Sequence, residues 1–178
     1  VPIHTPSMSR IKPRYPLCAG FIVCLLFLYG CGHNKSVPDT VVSSPEELNA
    51  KAAELINDFF TGGTTDSSVH LRQPVLLKYL YEKNGYTAQW SDKQSWKTGA
   101  DSLYELIRGA RFYGLFPEDY HIRELSVIRE QFMADSLSRN ERKDASLWSK
   151  ADILLTDAFV QIARDIKLGR LPNDSISL

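Results

Sequence analysis

Beyond residue 31 this chain has no cysteine: Cys18, Cys24 and Cys31 all stand in its first 31 residues. Residues 32–178 therefore offer no thiol as nucleophile, soft metal ligand or disulfide partner. An excess of charge of one sign is lacking too. The chain carries 21 Lys and Arg against 21 Asp and Glu, and because Arg10, Lys12 and Arg14 precede Cys31, the remainder has 18 basic against 21 acidic residues. Such a slightly acidic body has neither the basic surface that grips nucleic acid nor a polybasic patch for an anionic membrane. No apolar run reaches the roughly 20 residues that cross a bilayer as a helix. A Gly-rich phosphate loop, a nucleophile elbow and a serine–lysine motif are all missing. His33, His70 and His121 have no histidine or carboxylate at metal-ligand spacing, so no metal or other cofactor is expected.

What is present begins with the leader. Arg10, Lys12 and Arg14 are followed by an apolar run over residues 17–29, then by Gly30 and Cys31. This order resembles a bacterial lipoprotein signal, although Tyr29 is bulkier than the small residue usual at its place. The resemblance implies that residues 1–31 are a leader ending at Cys31, whose thiol is acylated and which becomes the lipid-bearing N-terminus. Met8 is the expected true start, with residues 1–7 as upstream read-through. An uncleaved N-terminal anchor and an ordinary secretory signal are the alternatives, and each also exports the chain. The expected location is the periplasm, with the lipid holding the protein to a membrane.

About 147 residues follow Cys31, enough for one core of ordinary size. Residues 32–43 are polar and without period, which predicts a flexible tether. Ser44-Pro45-Glu46-Glu47 is a capping box with proline in the first helical turn, and Leu48, Ala52, Leu55, Ile56, Phe59 and Phe60 follow at helical spacing up to Gly62-Gly63. A second helix is expected from Pro74, with Leu76, Leu77, Leu80 and Tyr81 on one face and Asn84-Gly85 as its stop. The segment from Tyr86 to Trp90 alternates over too few positions for more than a short extended piece. A third helix is expected over residues 98–113, closed by Gly114, and Pro117 starts a further turn. Ile122, Leu125, Ile128, Phe132 and Met133 predict a fourth. In the fifth, from Ala145 to Gly169, the stripe Trp148, Ala151, Leu155, Ala158, Phe159, Ile162 and Ile166 recurs at three and four. Ile153 and Leu154 fall off that stripe, which places this helix at the centre of the bundle. The fold expected is all-α, a single domain of about five helices spanning residues 44–178.

Local chemistry is sparse. Glu118 and Asp119 are adjacent carboxylates, but neighbours in a turn point apart, and acids in a first helical turn already suit the helix dipole. Trp90, Trp96 and nearby tyrosines could bind sugar through exposed rings, whereas aromatics in a small bundle are more often core.

Three stretches carry a resemblance when taken together. Leu80-Tyr81-Glu82-Lys83-Asn84-Gly85-Tyr86-Thr87-Ala88-Gln89-Trp90 is followed by Gly114-Leu115-Phe116-Pro117-Glu118-Asp119-Tyr120-His121, and then by Leu154-Leu155-Thr156-Asp157-Ala158-Phe159 running on to Gly169-Arg170. Over residues 45–175 the chain resembles the N-terminal scaffold domain of large periplasmic murein L,D-transpeptidases, which join a helical scaffold to peptidoglycan-binding and catalytic modules. The residues that match the scaffold pattern are Tyr81, Gly85, Tyr86, Trp90, Gly114, Leu115, Pro117, Asp119, Tyr120 and His121, and the resemblance gives none of them a catalytic role. Family catalysis uses a cysteine in a Ser-x-Gly-Cys-type motif with nearby histidine and arginine, a motif that this sequence lacks. The resemblance thus implies a non-catalytic scaffold portion of a cell-wall cross-linking enzyme, truncated before its other modules. Its implied partners are peptidoglycan, those modules, and the membrane reached through Cys31. The alternative is a stand-alone lipoprotein adaptor that binds partners in wall synthesis.

Overall fold

The computed structural model describes residues 39–62, 69–139 and 141–169, and the fold reported is theirs. The leader, Cys31, residues 32–38 of the expected tether and residues 170–178 lie outside the described residues. Helix α1 (Pro45–Thr61) starts at the expected capping box: Ser44 Oγ accepts from the Glu47 amide at 3.1 Å and Glu47 Oε2 from the Ser44 amide at 3.3 Å. Helices α2 (Pro74–Lys83), α3 (Thr98–Arg108), α4 (Ile122–Leu137) and α5 (Ala145–Leu168) complete an all-α domain of five helices among the described residues. Two-residue strands pair antiparallel in two small ladders, β1 (Val41–Val42) with β4 (Lys143–Asp144), and β2 (Ser91–Asp92) with β3 (Ser95–Trp96).

Helix α5 touches each of the other four helices. Its N-cap Asp144 accepts from the Ser146 amide at 3.0 Å, and β1 adjoins it through an Ala145 amide bond to the Thr40 carbonyl at 2.8 Å. The C-terminal end of the expected tether is therefore tied to the bundle. Ala145 and Trp148 pack with Leu48 and Ala52 of α1, and Ile153 joins Ile56 of α1 to Leu77 and Tyr81 of α2. Leu154, Leu155, Ala158 and Ile162 face Leu103, Ile107, Leu125 and Ile128 of α3 and α4. Ile153 and Leu154 leave the stripe because they serve opposite partners. Each fully buried aliphatic side chain of this kind contributes about 1.5–3 kcal/mol.

Three expectations are corrected. Phe159 is 51% exposed and Ile166 63%, since α5 is covered on all sides only along its first four turns. Met133, on α4, is exposed as well. The third helix ends at Arg108 rather than Tyr113 and continues beyond Gly109 as a tighter 3-10 turn, Ala110–Tyr113. The tightening lets the Leu115 amide reach the Ala110 carbonyl at 3.1 Å, and Gly114 takes φ +73°, so the chain reverses and buries Leu115. A second 3-10 turn, Pro117–Tyr120, follows. The β2–β3 hairpin had no glycine or asparagine in its loop to announce it. It is held by Asn49 of α1, which accepts from the Lys93 amide at 2.9 Å and donates to Asp92 at 3.0 Å. No helix among the described residues is long and apolar enough to cross a membrane.

Candidate functional site

Aspartate is a poor residue for a helix interior and a costly one to bury, yet α5 buries Asp152, Asp157 and Asp165. Each carboxylate accepts at least one hydrogen bond from a turn or connecting segment outside α5. Asp152 Oδ1 accepts from the Tyr81 hydroxyl at 2.7 Å and the Gln89 amide at 3.0 Å, and its Oδ2 from the Trp90 amide at 2.8 Å. Asp157 takes the Arg72 amide at 3.1 Å on both oxygens, the Gln73 amide at 3.2 Å and His121 Nε2 at 2.8 Å. It thereby caps the entry to α2 from a distant helix, where Gln73 offers no side-chain cap. Asp165 accepts from the Tyr120 hydroxyl at 2.8 Å and from Gln161 at 3.0 Å. Among the described residues no buried side-chain nitrogen or oxygen is without a partner.

Burial pushes the Asp152 carboxyl up from its ordinary range, against the downward pull of the Gln89 and Trp90 amides. The Tyr81 hydroxyl is pushed well above its ordinary value, first by burial and then by the charge of Asp152 beside it. Thr156 Oγ1 joins the group, accepting from Trp90 Nε1 at 2.8 Å and lying 2.7 Å from the Tyr81 hydroxyl.

Of the residues singled out from sequence, Tyr81, Trp90, Tyr120 and His121 bond to side chains of α5. Tyr81 and Trp90 converge on Asp152 and Thr156. Gly85 and Tyr86, at φ +61° and +59°, turn the chain between them, closed by the Tyr86 amide on the Tyr81 carbonyl at 2.8 Å. In the second stretch Leu115, Pro117 and Tyr120 are buried, and His121, at φ +59°, points its ring to Asp157. The carboxylate partner of His121 lies 36 residues away in sequence, out of reach of any spacing rule. Glu118 and Asp119 diverge, Glu118 to Arg111 at 3.0 Å and Asp119 to Arg72 at 3.4 Å. Glu118 titrates below its ordinary range through its own backbone amide and the neighbouring Arg111. Trp96 is partly buried against Tyr104 and Phe132, with the Arg129 guanidinium over its ring. Among the described residues no three His, Cys, Asp or Glu gather as metal ligands.

Above the Asp152 cluster the surface opens into a cleft of about 460 Å³, with Tyr81 and Thr156 at its floor. Leu80, Lys83, Asn84, Gln89, Trp90 and Phe159 form its walls, and the Trp90 and Phe159 rings stand 5.6 Å apart at 59°. Tyr81 and Trp90 are legible in the sequence motifs, whereas Asp152 and Asp165 lie outside them and Asp157 stands in the third stretch with no role that its neighbours reveal. Their signal was available in the sequence: Asp152 and Asp157 flank the apolar run Ile153-Leu154-Leu155 of a 24-residue helix, and Asp165 adjoins Ile166.

Neither the curated proteins nor the solved structures include a match to this chain. A family model does match, that of the Scaffold domain, over residues 75–178, which takes in α2 from its second residue, α3 to α5 and every residue of the two motifs. The match covers more than half of the sequence, and with both motifs held on one helix by its buried acids, the chain belongs to the Scaffold domain family.

Proposed function

We propose that this chain is the non-catalytic scaffold portion of a peptidoglycan L,D-transpeptidase, supporting cell-wall cross-linking in the periplasm and held to a membrane by lipid on Cys31. The observation that carries the reading is the Scaffold domain match over residues 75–178, within which the two aromatic motifs occur in the order of the L,D-transpeptidase scaffolds. The absence of any cysteine after Cys31 is consistent with it, because the acyl-transfer step of those enzymes needs a thiolate and would fall to another segment. What these residues contribute in that case is rigidity. Three buried carboxylates fasten the turns around α5, which gives a stiff body on which a catalytic module is oriented.

The test is the reading frame past the Leu178 codon, combined with muropeptide analysis of a strain lacking the gene. A frame continuing into a Ser-x-Gly-Cys-type motif, with loss of L,D-type cross-links in the mutant, is the expected result. A stop codon directly after Leu178 with unchanged cross-links would refute it and leave the adaptor lipoprotein, which acts through partners in wall synthesis.

A further inference from the structure

We infer that the cleft between Trp90 and Phe159 is a glycan-binding site, in which one pyranose ring lies against the two aromatic side chains. The inference goes beyond the wall-scaffold reading and draws on it only for which glycan the strand would be. Three observations carry it. The first is a fixed apolar platform: Phe159 is half exposed although it sits on the central helix, and Trp90 is anchored at its backbone by Asp152 and at its indole nitrogen by Thr156. A ring locked in this way loses little freedom when a ligand settles on it. The second is a rim of unused polar atoms. Asn84 donates one amide hydrogen to Thr87 Oγ1 and Gln89 one to the Thr87 carbonyl, each at 2.7 Å, and among the described residues neither carboxamide oxygen accepts a hydrogen bond. The third is Lys83, whose ammonium lies over the Tyr79 ring at 5.6 Å and makes no ion pair among the described residues.

A sugar ring matches all three at once. Its C–H face packs on an aromatic plane, its hydroxyls donate to carboxamide oxygens, and the ammonium donates to hydroxyl or ring oxygens. An apolar helix would leave the free oxygens of Asn84 and Gln89 desolvated without donors. A phosphate would find one cation and no cluster of amides. Of the two tryptophans that invited a glycan reading from sequence, only Trp90 lines this cleft, while Trp96 packs against Tyr104 and Phe132 elsewhere.

The experiment is calorimetric titration of the full 178-residue chain, kept in detergent, with chitotetraose. Binding is expected for the wild type, weakened about tenfold by Phe159→Ala, the loss of one stacking contact. Lys83→Ala, a change at an exposed side chain, should weaken it as well. Phe112→Ala, which removes an aromatic ring exposed elsewhere on the surface, should leave binding unchanged. Circular dichroism verifies the fold of each variant, and Lys83→Ala carries the test if Phe159→Ala does not fold. No heat with the folded wild type at millimolar sugar overturns the inference. So does unaltered affinity in folded Phe159→Ala and Lys83→Ala, or binding of tetra-alanine in place of the sugar. None of these results bears on the reading frame or the muropeptides, so the two proposals fail separately.

Discussion

Asp157 shows how much one side chain can hold. It is fully buried and is the shared acceptor for two backbone amides and one imidazole, drawn from two separate parts of the chain. Asp157→Ala leaves those donors buried without an acceptor and is expected to cost at least about 3 kcal/mol by chemical denaturation. Unchanged stability would mean that water replaces the carboxylate. Asp152 permits a test with a definite sign. Its folded carboxyl titrates above the ordinary 3.8, so the folded state holds that proton more tightly than the unfolded chain. The resulting stabilisation is complete below the ordinary value and is lost as pH rises through the raised one. Asp152→Asn cannot titrate, so the wild type's advantage over it should shrink as pH rises from about 4. A difference that stays level across denaturation curves at several pH values would contradict this assignment. Backbone conformation matters at the same scale. Gly114 has open space where a Cβ would go, so Gly114→Ala should cost only the left-handed backbone penalty, about 1–2 kcal/mol.

At the scale of elements, α5 divides the labour between its sides and its ends. Ile162 packs into the α3–α4 core while Phe159, three residues earlier, forms the wall of a cleft. Ile162→Ala should therefore cost about 2–5 kcal/mol, and Phe159→Ala less than about 1.5 kcal/mol, since half of its ring already meets water. Thermal denaturation ranking the two the other way would show that the cleft closes in solution. The start of α1 is local by contrast. Ser44→Ala removes one half of a capping box and should cost about 1 kcal/mol. Sequence and structure diverge most between α2 and α3, where a hairpin is fixed by Asn49 from another helix and two amides are held by Asp152. Nothing in residues 86–97 contains those partners.

At the largest scale, a central helix that touches each of the other four helices among the described residues predicts that the bundle unfolds as one unit. Tryptophan fluorescence, reporting on Trp90, Trp96 and Trp148, and far-ultraviolet circular dichroism should give coincident transitions. A separate early fluorescence change would mean that the α2–Trp90 region opens on its own. The sequence by itself determined the five helices, the capping box, the turn at Gly114 and the centrality of α5, because periodicity and capping are set by residues within about four positions of each other. It also determined that no thiol chemistry is available after Cys31. Packing alone settled that Phe159 faces outward, that Trp90 rather than Trp96 lines a cleft, and that Asp152, Asp157 and Asp165 act as fasteners. A carboxylate's role depends on which donors the fold brings within about 3 Å. Here those donors stand up to 85 residues away along the chain, a separation at which local pattern carries no information and packing decides.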